Sequence, residues 1–168
     1  MSKLIDRLDQ ISRGAPAALG FTAPTKREPA PQMALLAKGN STKTSILAKL
    51  KDASLDAFVL VGMNQTNKGV ERALKYLKGS TWGATVTNLD REVSANYTPL
   101  GSDFLVFGIE GTRVDGIEEG DMGRVLQIPP DLDEATLRGL EDLPVDAILL
   151  ERPEAGTPLA LTHMLAIG

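Results

Sequence analysis

Residues 50–60 read LKDASLDAFVL, and residues 140–150 read LEDLPVDAILL. In both stretches a helix-like pattern leads through a short loop to an aspartate, Asp56 or Asp146, and then to a run of aliphatic residues. Residues 101–107 (GSDFLVF) repeat this pattern in a shorter form. Duplication of a two-unit module would produce this sequence repeat. Turn chemistry alone would also produce it, because turns that lead into strands favour small and acidic residues. Either origin predicts a repeated helix-to-strand unit.

Aliphatic runs of strand length recur along the chain, and their first residues are 20 to 25 positions apart. Such near-continuous apolar runs are typical of strands that are buried on both faces, as in a parallel sheet covered by helices. The sequence therefore predicts an α/β fold with about six strand–helix units. The predicted strands are 33–37 (MALLA), 57–61 (AFVLV), 82–86 (WGATV), 104–109 (FLVFGI), 124–128 (RVLQI) and 146–150 (DAILL).

Helix-like stretches lie between most of these runs. Ahead of the first run, residues 3–13 place apolar side chains on one helical face, with Ser2 as the predicted N-cap and Gly14 as the predicted end. The proline-rich residues 22–32 predict a surface loop. We therefore expect residues 1–31 to be a helix and loop packed on a repeat domain of residues 32–168. The other predicted helices are 43–51, 67–78 and 133–142, with weaker ones at 88–98 and 111–121.

The uniform spacing, and the aspartate–alanine–aliphatic pattern within 55–61 and 145–150, resemble the TIM (βα)8 barrel. The resemblance covers residues 33–168 and implies a fold, not a particular enzyme family. Eight units of about 23 residues need a longer chain, so it implies an incomplete barrel that lacks its last two βα units. An open, doubly wound, three-layer α/β sheet is the alternative.

An incomplete barrel would leave two sheet edges unpaired. Such edges promote aggregation unless something covers them. We therefore expect a homo-oligomer, or a missing C-terminal segment that covers the open edge.

Composition excludes several classes of function. The net charge of −4 argues against a nucleic-acid partner, because binding phosphates requires a basic excess. The chain has no cysteine and one histidine, His163, which removes thiolate catalysis and multi-histidine metal sites. No run has the length of a membrane span and no signal peptide precedes the first helix, so we expect no membrane partner and a cytoplasmic location. No metal and no cofactor is predicted.

Functional groups in parallel α/β folds gather past the C-terminal ends of the strands. Lys38, Glu110 and Glu151 are the predicted catalytic residues at these positions. A lysine can act as a base or form a Schiff base when its pKa is lowered, and a neighbouring carboxylate can transfer protons. The alternative is structural, with Lys38 extended along the surface and the two glutamates paired with Arg113 and Arg152.

The stretch that follows the first strand has some features of a phosphate-binding loop. The P-loop pattern aligned on Lys43 requires glycine at positions 37 and 42, which are Ala37 and Thr42 here. A weaker prediction remains, that Asn40, Ser41, Thr42 and Lys43 bind an anion at a helix N-terminus. The alternative is ordinary N-capping by Ser41 or Thr42. The residues predicted to contact a substrate are Asn64, Asn88, Gln127 and Arg152.

Two functions fit this sequence. The first is a TIM-barrel-type enzyme, or a fragment of one, that binds a small anionic metabolite at the strand ends. The second is a non-catalytic scaffold that self-associates through its open sheet edge.

Overall fold

A computed structural model describes residues 1–14, 33–43, 53–63, 68–117 and 120–151, together with Ser45, Leu47 and Lys49. Its centre is a six-stranded sheet in which every neighbouring pair is parallel and the strand order follows the sequence. The predicted α/β fold is confirmed. A doubly wound sheet needs a reversal of strand order, and the described strands contain none. The strands are β1 (Leu36–Asn40), β2 (Ala57–Val61), β3 (Trp82–Val86), β4 (Phe104–Gly108), β5 (Gly123–Ile128) and β6 (Ala147–Leu150).

The helices begin and end where local capping chemistry allows. Helix α1 (Lys3–Arg13) is capped by Ser2, whose side chain accepts from the backbone N–H of Ile5, and it ends at Gly14 with φ of 64°, as predicted. Residues 45, 47 and 49 are helical, within the helix predicted over 43–51. In the described residues of the weaker helix predicted at 111–121, the structure has one 3₁₀ turn, Val114–Gly116. The helices are α1 (Lys3–Arg13), α2 (Lys68–Tyr76), α3 (Arg91–Tyr97) and α4 (Glu134–Leu140).

The first strand lies three residues later than the apolar run predicts. The prediction placed it at 33–37, whereas β1 spans Leu36–Asn40, in register with β2. The physical reason is that β1 is at the edge of the described sheet, where burial is incomplete and polar residues are tolerated. Lys38 and Asn40 therefore lie within the strand and not beyond it.

Two apolar cores lie on opposite faces of the sheet. The face covered by helices carries the larger one, which includes Leu60, Ala84, Phe107 and helix residues such as Ala73. The other face carries a smaller core, to which α1 contributes Leu4, with Ile5 and Leu8 packed against it. The sheet residues of that smaller core are Ala57, Val59, Phe104, Val106 and Val125.

The sheet curls toward the face that carries the smaller core. Register partners can be followed across the sheet from Lys38 on β1 to Gly123 on β5. Gly123 is in register with Val145, because Val125, two residues further along β5, pairs with Ala147. The side chain of Lys38 nevertheless contacts Glu151, six residues beyond Val145. A stagger of about one residue per strand is the geometry of an eight-stranded barrel. The sheet is thus an open half-barrel, and its smaller core lies inside.

Helix α1 closes the inside of the half-barrel at the N-terminal ends of the strands. The carboxylate of Asp103 accepts from Ser2 Oγ at 2.8 Å, from the N–H of Lys3 at 2.8 Å and from the N–H of Leu4 at 3.0 Å. A Cβ on Gly123 would lie 2.7 Å from Ser2 Oγ, so the absence of a side chain lets the helix approach β5.

The proline-rich loop and His163 lie outside the described residues. Within the described ranges, no helix has the length and apolar character needed to cross a membrane.

Candidate functional site

The inner face ends in a polar cluster at the C-terminal ends of the strands. Lys38 Nζ pairs with Glu151 Oε1, and the side-chain amide of Gln127 donates to Glu151 Oε2. Lys38 comes from the first strand and Glu151 directly follows the sixth, so the contact exists only because the sheet curls. The structure therefore brings together two of the three predicted catalytic residues and one predicted substrate contact.

The exposure of the pair leaves it accessible. The side chains of Lys38 and Glu151 are 43% and 40% exposed. An ion pair this exposed is screened by water and stabilises the fold little, typically by about 0–1 kcal/mol. Lys38 and Glu151 can therefore break their ion pair and bind a ligand at a low cost in free energy.

Beside this pair, two polar atoms of the inner face are buried without a partner. They are Thr85 Oγ1 and Gln127 Oε1, and within the described part of the chain neither has a hydrogen-bond partner. The side-chain amide of Gln127 must point its nitrogen at Glu151, because the flipped amide would place its oxygen against the carboxylate. Leaving a buried acceptor unpaired costs about 1–3 kcal/mol, so such atoms need an explanation.

Both residues line one pocket of about 570 Å³ at the ends of β3, β4 and β5. Glu110, the third predicted catalytic residue, is exposed at its rim. Gln127 thus belongs to the pocket and also to the cluster with Lys38 and Glu151. The other lining residues are Val86, Thr87, Gly108, Ile109, Pro129, Leu132 and Thr136.

Gly108 opens the floor of this pocket. It pairs with Gln127 across the β4–β5 ladder, and Thr85 pairs with Val106, so the Gly108 position lies between the two unpartnered side chains. A Cβ built on Gly108 meets no described atom within 4 Å. The carbonyl of Gly108 accepts from Thr112 Oγ1 at 2.6 Å, which ties the following loop to the strand end.

The predicted anion-binding segment forms a compact turn. The side-chain oxygen of Asn40 accepts from the N–H of Thr42 at 2.9 Å and from its hydroxyl at 2.7 Å, and the N–H of Lys43 donates to the carbonyl of Asn40. Ser41 is buried and donates to the carbonyl of Gly62 at 3.1 Å. These bonds organise the turn internally, and anion binding here stays a prediction.

The remaining predicted residues are distributed differently. Asn88 is exposed, and its Oδ1 would lie 2.3 Å from a Cβ on Gly111, so that side chain covers the loop after β4. Arg113 pairs with Asp115, with Nε and Oδ1 3.3 Å apart. Asn64 and Arg152 lie outside the described residues.

Sequence reasoning did not single out Thr85 and Gly108. The signal was present, because Thr85 is a polar residue in an otherwise apolar run and Gly108 ends another such run. Only the register shows that both face the same side as Gln127.

No family model and no curated protein matches this chain. In the ranges that the structure describes, no group of three or more histidine, cysteine, aspartate or glutamate side chains could hold a metal ion.

Proposed function

We propose that this chain is a barrel-type enzyme, or part of one, that acts on a small anionic carbonyl compound at the C-terminal ends of its strands. The observation that carries the proposal is the contact between Lys38 and Glu151, from opposite edges of the sheet, beside an open pocket. A primary amine next to a carboxylate supplies a nucleophile and a proton carrier in one place.

The proposed reaction begins with imine formation. Glu151 accepts a proton from the Lys38 ammonium, and the neutral amine attacks the carbonyl carbon to give a carbinolamine. Glu151 then returns the proton to the carbinolamine hydroxyl, which leaves as water, and a protonated imine remains on Lys38. Gln127 holds the second oxygen of Glu151 and so keeps the carboxylate directed at Lys38.

Lys38 is shared with Glu151, so an additional anionic group on the substrate needs another cation. Lys43 is exposed on the turn after β1 and is the predicted partner.

Reductive trapping tests the proposed chemistry. The protein is incubated with dihydroxyacetone phosphate and sodium cyanoborohydride, and the modified lysine is located by peptide mass spectrometry. We expect Lys38 to carry most of the label. Lys38→Arg should remove it, whereas Lys75→Arg, a matched change of an exposed lysine in the last turn of α2, should leave it unchanged.

Glu151→Gln tests the role of the carboxylate. General acid–base catalysis contributes about 10²–10⁴-fold in rate, so we expect trapping at Lys38 to slow by that order. Labelling spread evenly over the surface lysines, or labelling that survives Lys38→Arg at the wild-type rate, would overturn the proposal.

A non-catalytic scaffold is the second candidate. Its support is the exposure of apolar side chains on both edge strands of the described sheet, with Leu36 on β1 42% exposed and Ile148 on β6 45% exposed. Edge strands with exposed apolar residues favour association. Sedimentation equilibrium tests this candidate, which predicts a stable oligomer that Ile148→Lys dissociates. A monomer at all concentrations would exclude it.

A further inference from the structure

The pocket next to Lys38 contains an arrangement that the proposed reaction does not use. Thr85 Oγ1 and Gln127 Oε1 are buried, face the same side of the sheet and lack a partner among the described residues. Between them, the Gly108 position leaves open space where any other residue would place a side chain. The inner-face residues in register with Thr85 on β4 and β5 are apolar and buried, namely Val106 and Val125.

These groups define a ligand chemistry. Gln127 Oε1 can only accept hydrogen bonds because it is a carbonyl oxygen, and the amide nitrogen donates to Glu151. Thr85 Oγ1 can donate and accept. An alcohol hydroxyl placed over Gly108 satisfies both, because it donates to the amide oxygen and accepts from the threonine. A carboxylate or phosphate oxygen would meet the lone pairs of Gln127 and is disfavoured.

We propose that Thr85, Gln127 and Gly108 form a hydroxyl-binding subsite, so that the metabolite carries an alcohol group on the carbon chain beside its reacting carbon. This assignment rests on the proposed function for the position of the reacting carbon at Lys38. The hydroxyl contact itself depends only on the pocket.

Two ligands that differ by one hydroxyl test the subsite. The probes are glycerol 3-phosphate and 2-hydroxypropyl phosphate, which lacks the terminal hydroxyl, and neither can form an imine. Affinities are measured by ligand-observed NMR titration. A neutral hydrogen bond contributes about 0.5–1.5 kcal/mol, which corresponds to about three- to tenfold tighter binding of glycerol 3-phosphate by the wild type.

Variants then locate the effect. Thr85→Val should abolish the preference and Thr85→Ser should retain it. Gly108→Val should weaken glycerol 3-phosphate binding by filling the space, and strain is not expected because φ at Gly108 is not positive. Thr98→Val, an exposed change at the end of α3, is the matched control and should leave the preference intact.

Thermal unfolding separates a binding role from a structural one. Because the hydroxyl of Thr85 has no partner in the described protein, Thr85→Val should not lower the melting temperature, whereas a structural hydroxyl would do so when removed.

Equal affinities for the two probes in the wild type overturn the subsite, and so does absence of binding by both or a preference that survives Thr85→Val. The wild-type comparison needs no variant and so remains decisive if a variant fails to fold. Success here with failure of lysine trapping would retain the subsite and reject the reaction at Lys38.

Discussion

The two ends of the inner face are constructed in opposite ways. At the N-terminal ends of the strands, Asp103 receives three hydrogen bonds, and Leu4 and Phe104 are 4% and 0% exposed. At the C-terminal ends, Thr85 and Gln127 keep buried polar atoms without partners in the described chain, beside open space. The first end has what a stable fold requires, and the second has groups that a ligand can satisfy.

Two glycines of the inner face illustrate the difference. A Cβ on Gly83 would lie 2.4 Å from both the ring and the backbone carbonyl of Phe104, so the phenyl ring fills the space that a side chain would occupy. Gly108, at the other end, faces no described atom within 4 Å. Glycine therefore allows close packing at the N-terminal ends of the strands and leaves space for a ligand at their C-terminal ends.

The largest expected effect comes from Gly83→Ala. The added methyl group meets backbone and not a flexible side-chain end, and overpacking of this kind costs about 3 kcal/mol. Urea unfolding should show this loss in the free energy of unfolding. Gly108→Ala is the matched change and should alter stability by less than about 0.5 kcal/mol. Equal losses for the two variants would contradict the contrast between the two ends.

Asp103→Ala should have the next largest effect. It removes three hydrogen bonds that hold the first turn of α1, including two from backbone N–H groups at a helix N-terminus, and we expect a loss of about 2 kcal/mol. Hydrogen exchange in α1 should accelerate. Asp121→Ala, which removes only the exposed partner of the N-terminal amine, is the control. If both variants behave alike, α1 is not held by Asp103.

Asp146 should make a smaller, pH-dependent contribution. Its hydrogen bond with the Arg124 side chain lowers its pKa, burial opposes this shift, and the Arg124 N–H and charge add to the lowering. A carboxyl group with a lowered folded-state pKa stabilises the protein above its unfolded pKa of about 4, and this stabilisation is lost as pH falls through the folded pKa.

Asp146→Asn tests this sign. We expect it to cost about 1.5 kcal/mol at pH 7, with the difference from the wild type shrinking below about pH 4. Denaturant unfolding at a series of pH values measures it. Asp142→Asn, at an exposed position past α4, is the control. A difference that stays constant down to pH 2 would show that the charge of Asp146 does not act.

The three repeated aspartates show how much of the structure a local sequence pattern can predict. The sequence identified Asp56, Asp103 and Asp146 as equivalent positions before strands. In the structure Asp56 accepts from the N–H of Leu35 and Asp146 accepts from the N–H of Arg124, each across to the preceding strand. Asp56 also accepts from Nε of Arg7 in α1 at 2.9 Å, whereas the carboxylate of Asp103 accepts from Ser2 and the first turn of α1, at the far end of the sequence. Local pattern could not distinguish it, because its partner is about a hundred residues away.

By itself, the sequence determined five of the six strands, most helices, the parallel direction of the strands and the positions of Gln127 and Glu151 near the ends of β5 and β6. These follow from local periodicity, turn residues and the right-handed βα connection. Tertiary structure alone decided the shift of β1, the meeting of Lys38 with Glu151, and the facing of Thr85 and Gln127 across Gly108. Those features depend on register and curl, which arise from packing between strands and leave little trace in any one segment.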